Sequence, residues 1–120
     1  MSSSYSSGQT IPQIRVEELA RRMAADRSNL QLIDVREPEE IAIAFVEGFT
    51  NLPLSQYGEW APKVPTEFDP HAETLVLCHH GMRSAQMCQW LMGQGFTNVK
   101  NIVGGIAAYA EVVDPSIPQY

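Results

Sequence analysis

Cysteine is scarce in this chain: Cys78 and Cys88 are the only two among 120 residues. A disulfide framework needs more, and a chain of this length does not require a covalent staple. If Ser84 to Cys88 is helical, Cys88 lies about 6 Å along that helix from its start, a poor place from which to bridge back to Cys78. Both therefore read as thiols in a reducing compartment, with the cytoplasm as the expected location. Positive charge is also short. Eight Lys and Arg face fourteen Asp and Glu, a net charge of −6. That leaves no basic face for nucleic acid and argues against an anionic membrane surface. No apolar run reaches the length of a membrane span. Residues 1–10 hold neither a basic residue nor an apolar stretch, so they read as a flexible N-terminal tail rather than a secretory leader.

What is present is enough apolar material, 44 % of residues, to bury a core in one domain. Val16, Leu19, Ala20 and Met23 fall at helical spacing and predict a helix over 16–25. Leu30 to Val35 reads as a short strand. Pro38 suits the first turn of a helix running to about Ala44, with Glu37, Glu39 and Glu40 as a solvated acidic start. A strand is predicted over 49–54 and a brief helix over 55–61, with Pro62, Pro65 and Pro70 marking an irregular crossing. Glu73 to Leu77 is the most strand-like run, of the buried type. Helical patterns over 84–93 and 105–110 flank a last strand over 99–103. Strands alternating with helices predict an α/β architecture, a mostly parallel central sheet with helices on both faces. Ligands of such sheets sit beyond the carboxyl ends of the strands.

Cys78 stands at such an end, in the stretch "TLVLCHHGMRSAQMCQWL" (74–91). A strand-to-helix turn leaves backbone N–H groups without helical partners, and turned inward they hold an anion. The thiolate of Cys78 would be that anion. Gly81 permits the tight curl. The arginine comes one residue too early for the Cys-x5-Arg cradle of cysteine phosphatases, which would place it at position 84, where serine stands. The shorter ring suits a single sulfur atom on Cys78 better than a phosphate group. Cys78, His79 and His80 are three successive residues and do not converge on one ion, so no metal is expected. Cys88 falls on the apolar stripe of its helix and reads as core, while Trp60, Trp90 and Phe96 read as core or rim packing. Asp34 and Arg36 read as a polar brace near the cysteine loop, since charges at covered strand ends need partners.

These residues resemble the single-domain rhodanese-like sulfurtransferases. The resemblance covers about 11–114, leaving 1–10 and 115–120 as tails. It is carried by "LIDVREPEE" (32–40), "GFTNLPL" (48–54), "CHHGMRS" (78–84) and "GFTNVKNIVGGIAAY" (95–109), four motifs in order. It implies the rhodanese-like three-layer fold and a double displacement through a Cys78 persulfide. Thiosulfate or a persulfide would be the donor, and a thiol, small or borne on a protein, the acceptor. His79, His80, Gly81, Met82 and Arg83 would line the substrate site, with Arg83 and the histidines attracting an anionic donor. No cofactor is implied. Phe45 to Phe49 depart from the His-(Ile/Leu)-Pro-Gly-Ala segment frequent in the family, and Tyr109 stands where tryptophan is common. Two other functions remain open at this point: a relay or sensing module that hands a persulfide to a protein, and a cysteine phosphatase or arsenate reductase.

Overall fold

In the computed structural model, which describes residues 10–120, strand β4 (Glu73–Leu77) runs through the middle of a five-stranded sheet. Its Leu75, Val76 and Leu77 are fully buried, as a run without polar alternation requires when both faces are covered. Strand β2 (Leu30–Asp34) lies on one side of it, in register from Leu30 opposite Glu73 to Asp34 opposite Leu77. Strand β5 (Val99–Ile102) lies on the other. The edges are β1 (Gln13–Ile14) beside β5 and β3 (Thr50–Asn51) beside β2, and every pairing is parallel.

Two apolar clusters cover the two faces. Along β4 the side chains alternate: Leu75 and Leu77 join Val16, Leu19, Ile102 and Ile106 on one side. Val76 and Cys78 join Val35, Trp60, Met87, Cys88 and Leu91 on the other. Helices α1 (Val16–Ala24) and α6 (Gly105–Val112) supply the first cluster, and α5 (Met82–Gly93) the second. Cys88 is buried there, in the place its stripe predicted. Helix α2 (Pro38–Ile43) follows the carboxyl end of β2 and buries none of its residues.

Three expectations need correction. The prolines do not make the whole of 62–70 irregular. Pro62 and Pro65 each open a short helical turn, where a missing N–H costs little. The stretch from 55 to 67 is a chain of turns that includes α3 (Tyr57–Trp60) and α4 (Val64–Glu67). The strand predicted over 49–54 shrinks to β3, because Pro53 has no N–H for a ladder and Leu52 and Leu54 bond instead to the backbone oxygens of Asp34 and Val35. Helix α5 starts at Met82, two residues early, since Gly81 caps it at φ +106°. Strand β1, two residues long, carried no periodic signal. Apart from Thr10, the N-terminal tail lies outside the described residues. Residues 115–120 have no helix or strand, yet Ile117 packs on the first core cluster and Tyr120 folds back onto the cysteine loop.

Candidate active site around Cys78

Cys78 is the first residue past β4, and the pleat turns its side chain toward α5. The chain then curls through His79, His80 and Gly81 into α5. Within this turn two groups meet the sulfur: the Gly81 N–H donates to Sγ at 3.0 Å, and the Ser84 hydroxyl lies 3.2 Å away. The ring of amides pictured from sequence is thus one amide and one hydroxyl. Ser84 is fully buried, and its Oγ donates to Oδ1 of Asn101 on β5. Nδ2 of Asn101 in turn donates to the Gly81 carbonyl at 3.0 Å. The single Ser84 proton therefore has two claimants. Directed at Asn101, it leaves the sulfur to donate as a thiol; directed at the sulfur, it supports a thiolate. Cys78 is 1 % exposed, so the sulfur lies beneath the surface.

The amino end of α6 holds the loop from below. Ile106 N–H donates to the Cys78 carbonyl at 2.9 Å and Ala107 N–H to the His79 carbonyl at 3.1 Å. This approach requires glycine at 105: a Cβ there would lie 2.4 Å from both carbonyl oxygens, and φ is +61°.

Arg83 does not face the sulfur as an unpaired cation. Its two terminal nitrogens donate to the two oxygens of Glu40, at 2.6 and 2.9 Å. This fork-to-fork pair holds the Glu40 carboxyl down at about 2, mainly through the Arg83 hydrogen bond, and raises the Arg83 guanidinium. Glu40 also accepts from the Glu37 N–H at 3.0 Å and from the Tyr120 hydroxyl at 2.9 Å. It is a junction, not part of a solvated helix start. His79 stacks flat on Tyr120, ring centres 4.0 Å apart, and lies 3.9 Å from the His80 ring. Burial, followed by repulsion from His80, pushes the His79 imidazole below its usual range. Met82 projects outward, 79 % exposed.

Asp34 and Arg36 are 2 % and 0 % exposed and form a closed ion pair. Arg36 Nη2 donates to Asp34 Oδ2 at 2.8 Å and to the Ala44 carbonyl at 2.9 Å, while Nη1 donates to the Tyr120 hydroxyl at 2.8 Å. The pair reaches the cysteine loop through Tyr120, which touches Arg36, Glu40 and His79 together. Cys88 is a different kind of thiol: burial pushes it up to about 12, so it is inert. Among the described residues no three His, Cys, Asp or Glu side chains converge as a metal site would require. Sequence reasoning did not identify Glu40, Ser84, Asn101, Gly105 or Tyr120 as site residues. Only Ser84 and Gly105 gave a local hint, from a serine just after the loop arginine and a Gly-Gly pair.

The arrangement sets the buried Cys78 sulfur beside one amide donor and one shared hydroxyl, with Arg83 and Arg36 each paired to a carboxylate. The match to known proteins is extensive. The model of the rhodanese-like domain matches residues 15–112. The chain is 50 % identical over 112 residues to the Arabidopsis thaliana rhodanese-like/PpiC domain-containing protein 12, chloroplastic, spanning 92 % of this chain but 38 % of that protein. It is 34 % identical over 100 residues to a sulfurtransferase of Allochromatium vinosum, covering 83 % of this chain and 89 % of the relative. The crystal structure of a rhodanese-like domain protein from Staphylococcus aureus superposes with a TM-score of 0.73 at 23 % identity, over 92 % of this chain and 99 % of that one, which speaks to the fold. With four motifs in order, a parallel sheet of matching architecture and a cysteine at the carboxyl end of its central strand, this chain belongs to the rhodanese-like family.

Proposed function

We propose that the chain is a sulfurtransferase that carries a sulfur atom as a persulfide on Cys78. The Cys78 thiolate attacks the outer sulfur of a donor, the donor's S–S bond breaks, and the departing fragment leaves with the electron pair (sulfite, if the donor is thiosulfate). An acceptor thiolate then attacks the outer sulfur of the Cys78 persulfide and regenerates the thiolate. The observation that carries this reading is the paired approach of the Gly81 N–H and the Ser84 hydroxyl to Sγ at the carboxyl end of β4. The Gly81 N–H supports negative charge on Sγ, and the Ser84 hydroxyl adds a second hydrogen bond when its proton turns from Asn101 to the sulfur. The relative named as a sulfurtransferase supports the general role. Two free cysteines suit a reducing compartment. Since the plant relative is named chloroplastic, a plastid fits as well as the cytoplasm.

A phosphatase needs an arginine free to grip phosphate oxygens, and Arg83 has both terminal nitrogens on Glu40. A protein acceptor is favoured by the exposed Met82 at the lip of the loop, since flexible apolar side chains suit a docking partner. The test is intact-mass measurement after incubation with thiosulfate and with small persulfides. A gain of about 32 Da, one sulfur atom, is expected on wild type and not on Cys78→Ser. No adduct from any donor would overturn the reading.

A further inference from the structure

We propose that Glu40 is a specificity-determining residue of the Cys78 site: by occupying both terminal nitrogens of Arg83, it turns the site away from small dianions and toward persulfides. The inference rests on the sulfurtransferase reading above and narrows its donor. Thiosulfate brings two negative charges to a thiolate and needs an unpaired cation to offset them. The cations nearest the loop are already matched. Arg83 is held at 2.6 and 2.9 Å by Glu40, Arg36 is closed against Asp34, and burial of His79 disfavours its cationic form. The Tyr120 hydroxyl donates to Glu40, which fixes that carboxylate in place over the loop rather than leaving it to swing away from Arg83. A thiolate there leaves the immediate surroundings negative.

A persulfide carries at most one negative charge, and the form that accepts attack on its outer sulfur, R–S–SH, carries none. The Cys78 thiolate attacks that sulfur, the S–S bond of the donor breaks, and RS⁻ leaves with the electron pair. The transferred sulfur keeps its proton, giving Cys78–S–SH. Atoms and charge balance without any further reagent.

The experiment compares loading of Cys78, followed by intact mass against time, with thiosulfate and with the persulfide of an uncharged thiol, 2-mercaptoethanol. The readout is the ratio of the two rate constants, together with its dependence on salt. Wild type is expected to load faster from the persulfide, and its thiosulfate rate to stay level or rise with salt, as between like charges. Glu40→Gln keeps the side-chain shape, frees the Arg83 charge and shifts the ratio toward thiosulfate by roughly tenfold or more. Its thiosulfate rate falls with salt. An unchanged ratio in Glu40→Gln overturns the proposal. So does wild-type loading by thiosulfate that falls steeply with salt, a result that needs no variant to fold. If neither donor loads wild type, it is the sulfurtransferase reading that fails.

Discussion

Gly105→Ala tests the idea that α6 holds the cysteine loop in shape. The new Cβ would lie 2.4 Å from the carbonyl oxygens of both Cys78 and His79, and these belong to backbone that cannot rotate aside. Two costs follow. Alanine at φ +61° occupies the left-handed region, worth about 1–2 kcal/mol. Relieving the clash pushes α6 away and breaks its two bonds to the loop, from Ile106 at 2.9 Å and Ala107 at 3.1 Å. Each contributes about 0.5–1.5 kcal/mol net. The total is about 2–5 kcal/mol, a large share of the ~5–15 kcal/mol that holds a domain together. The control is Gly93→Ala at the exposed end of α5, where a Cβ meets nothing within 4 Å. That change should be neutral or stabilising by about 0.4–1 kcal/mol. Urea unfolding followed by the fluorescence of Trp60 and Trp90 reads both. With a slope near 1.5 kcal/mol/M, Gly105→Ala should lower the midpoint by about 1.3–3.3 M. A loss under about 1 kcal/mol would show that the loop does not depend on this contact.

Two further outcomes follow from the same network. Tyr120→Ala removes a ring stacked on His79 and hydrogen bonds to Arg36 and Glu40, together at least ~1.5 kcal/mol of hold on the loop. Alkylation of Cys78 by iodoacetamide at neutral pH should quicken about tenfold or more, with Cys88 unmodified in peptide maps; an unchanged rate would mean the closing segment does not guard the sulfur. The Glu40–Arg83 pair contributes to stability in full above the ordinary carboxylate value of 4.5 and loses that contribution as pH falls toward about 2. With Arg83 about a third exposed, screening leaves ~1 kcal/mol. The stability gap between wild type and Glu40→Gln should therefore be steady near neutrality and close in acid, and urea midpoints that kept the gap at about pH 2 would rule the pair out as its source.

Local patterns carried the architecture well. The buried run at 73–77 located the central strand because a strand covered on both faces has no polar alternation to hide it. The stripe through Cys88 located the helix that faces that strand. The Cys78 position followed from strand end and helix start alone. What local pattern could not carry is pairing across the fold. Arg83 and Glu40 are 43 positions apart, and Tyr120 is 80 from Glu40. Nothing near Arg83 in the sequence says that its charge is already matched. Gly105 was readable as a turn residue, but the 2.4 Å approach of the cysteine loop depends on how α6 docks. The prolines of 62–65 misled for a related reason: proline excludes helix interiors but favours first turns, and only the path of the chain decides between them.

Glu40 joins these threads. In sequence it is one of three acids at a helix start, where the helix dipole accounts for all of them. In the fold its neighbours separate: Glu37 takes the Ser55 N–H, while Glu40 turns inward to the Glu37 N–H, Arg83 and Tyr120. One carboxylate thus closes a helix end, fixes the arginine of the cysteine loop and anchors the segment that stacks on His79. Its removal must act on stability and on donor choice together, because the charge that steadies the loop is the charge that repels a dianion. A change that freed Arg83 for anionic donors would therefore come with a looser loop, and the two effects separate only when loading rates are compared as a ratio between donors.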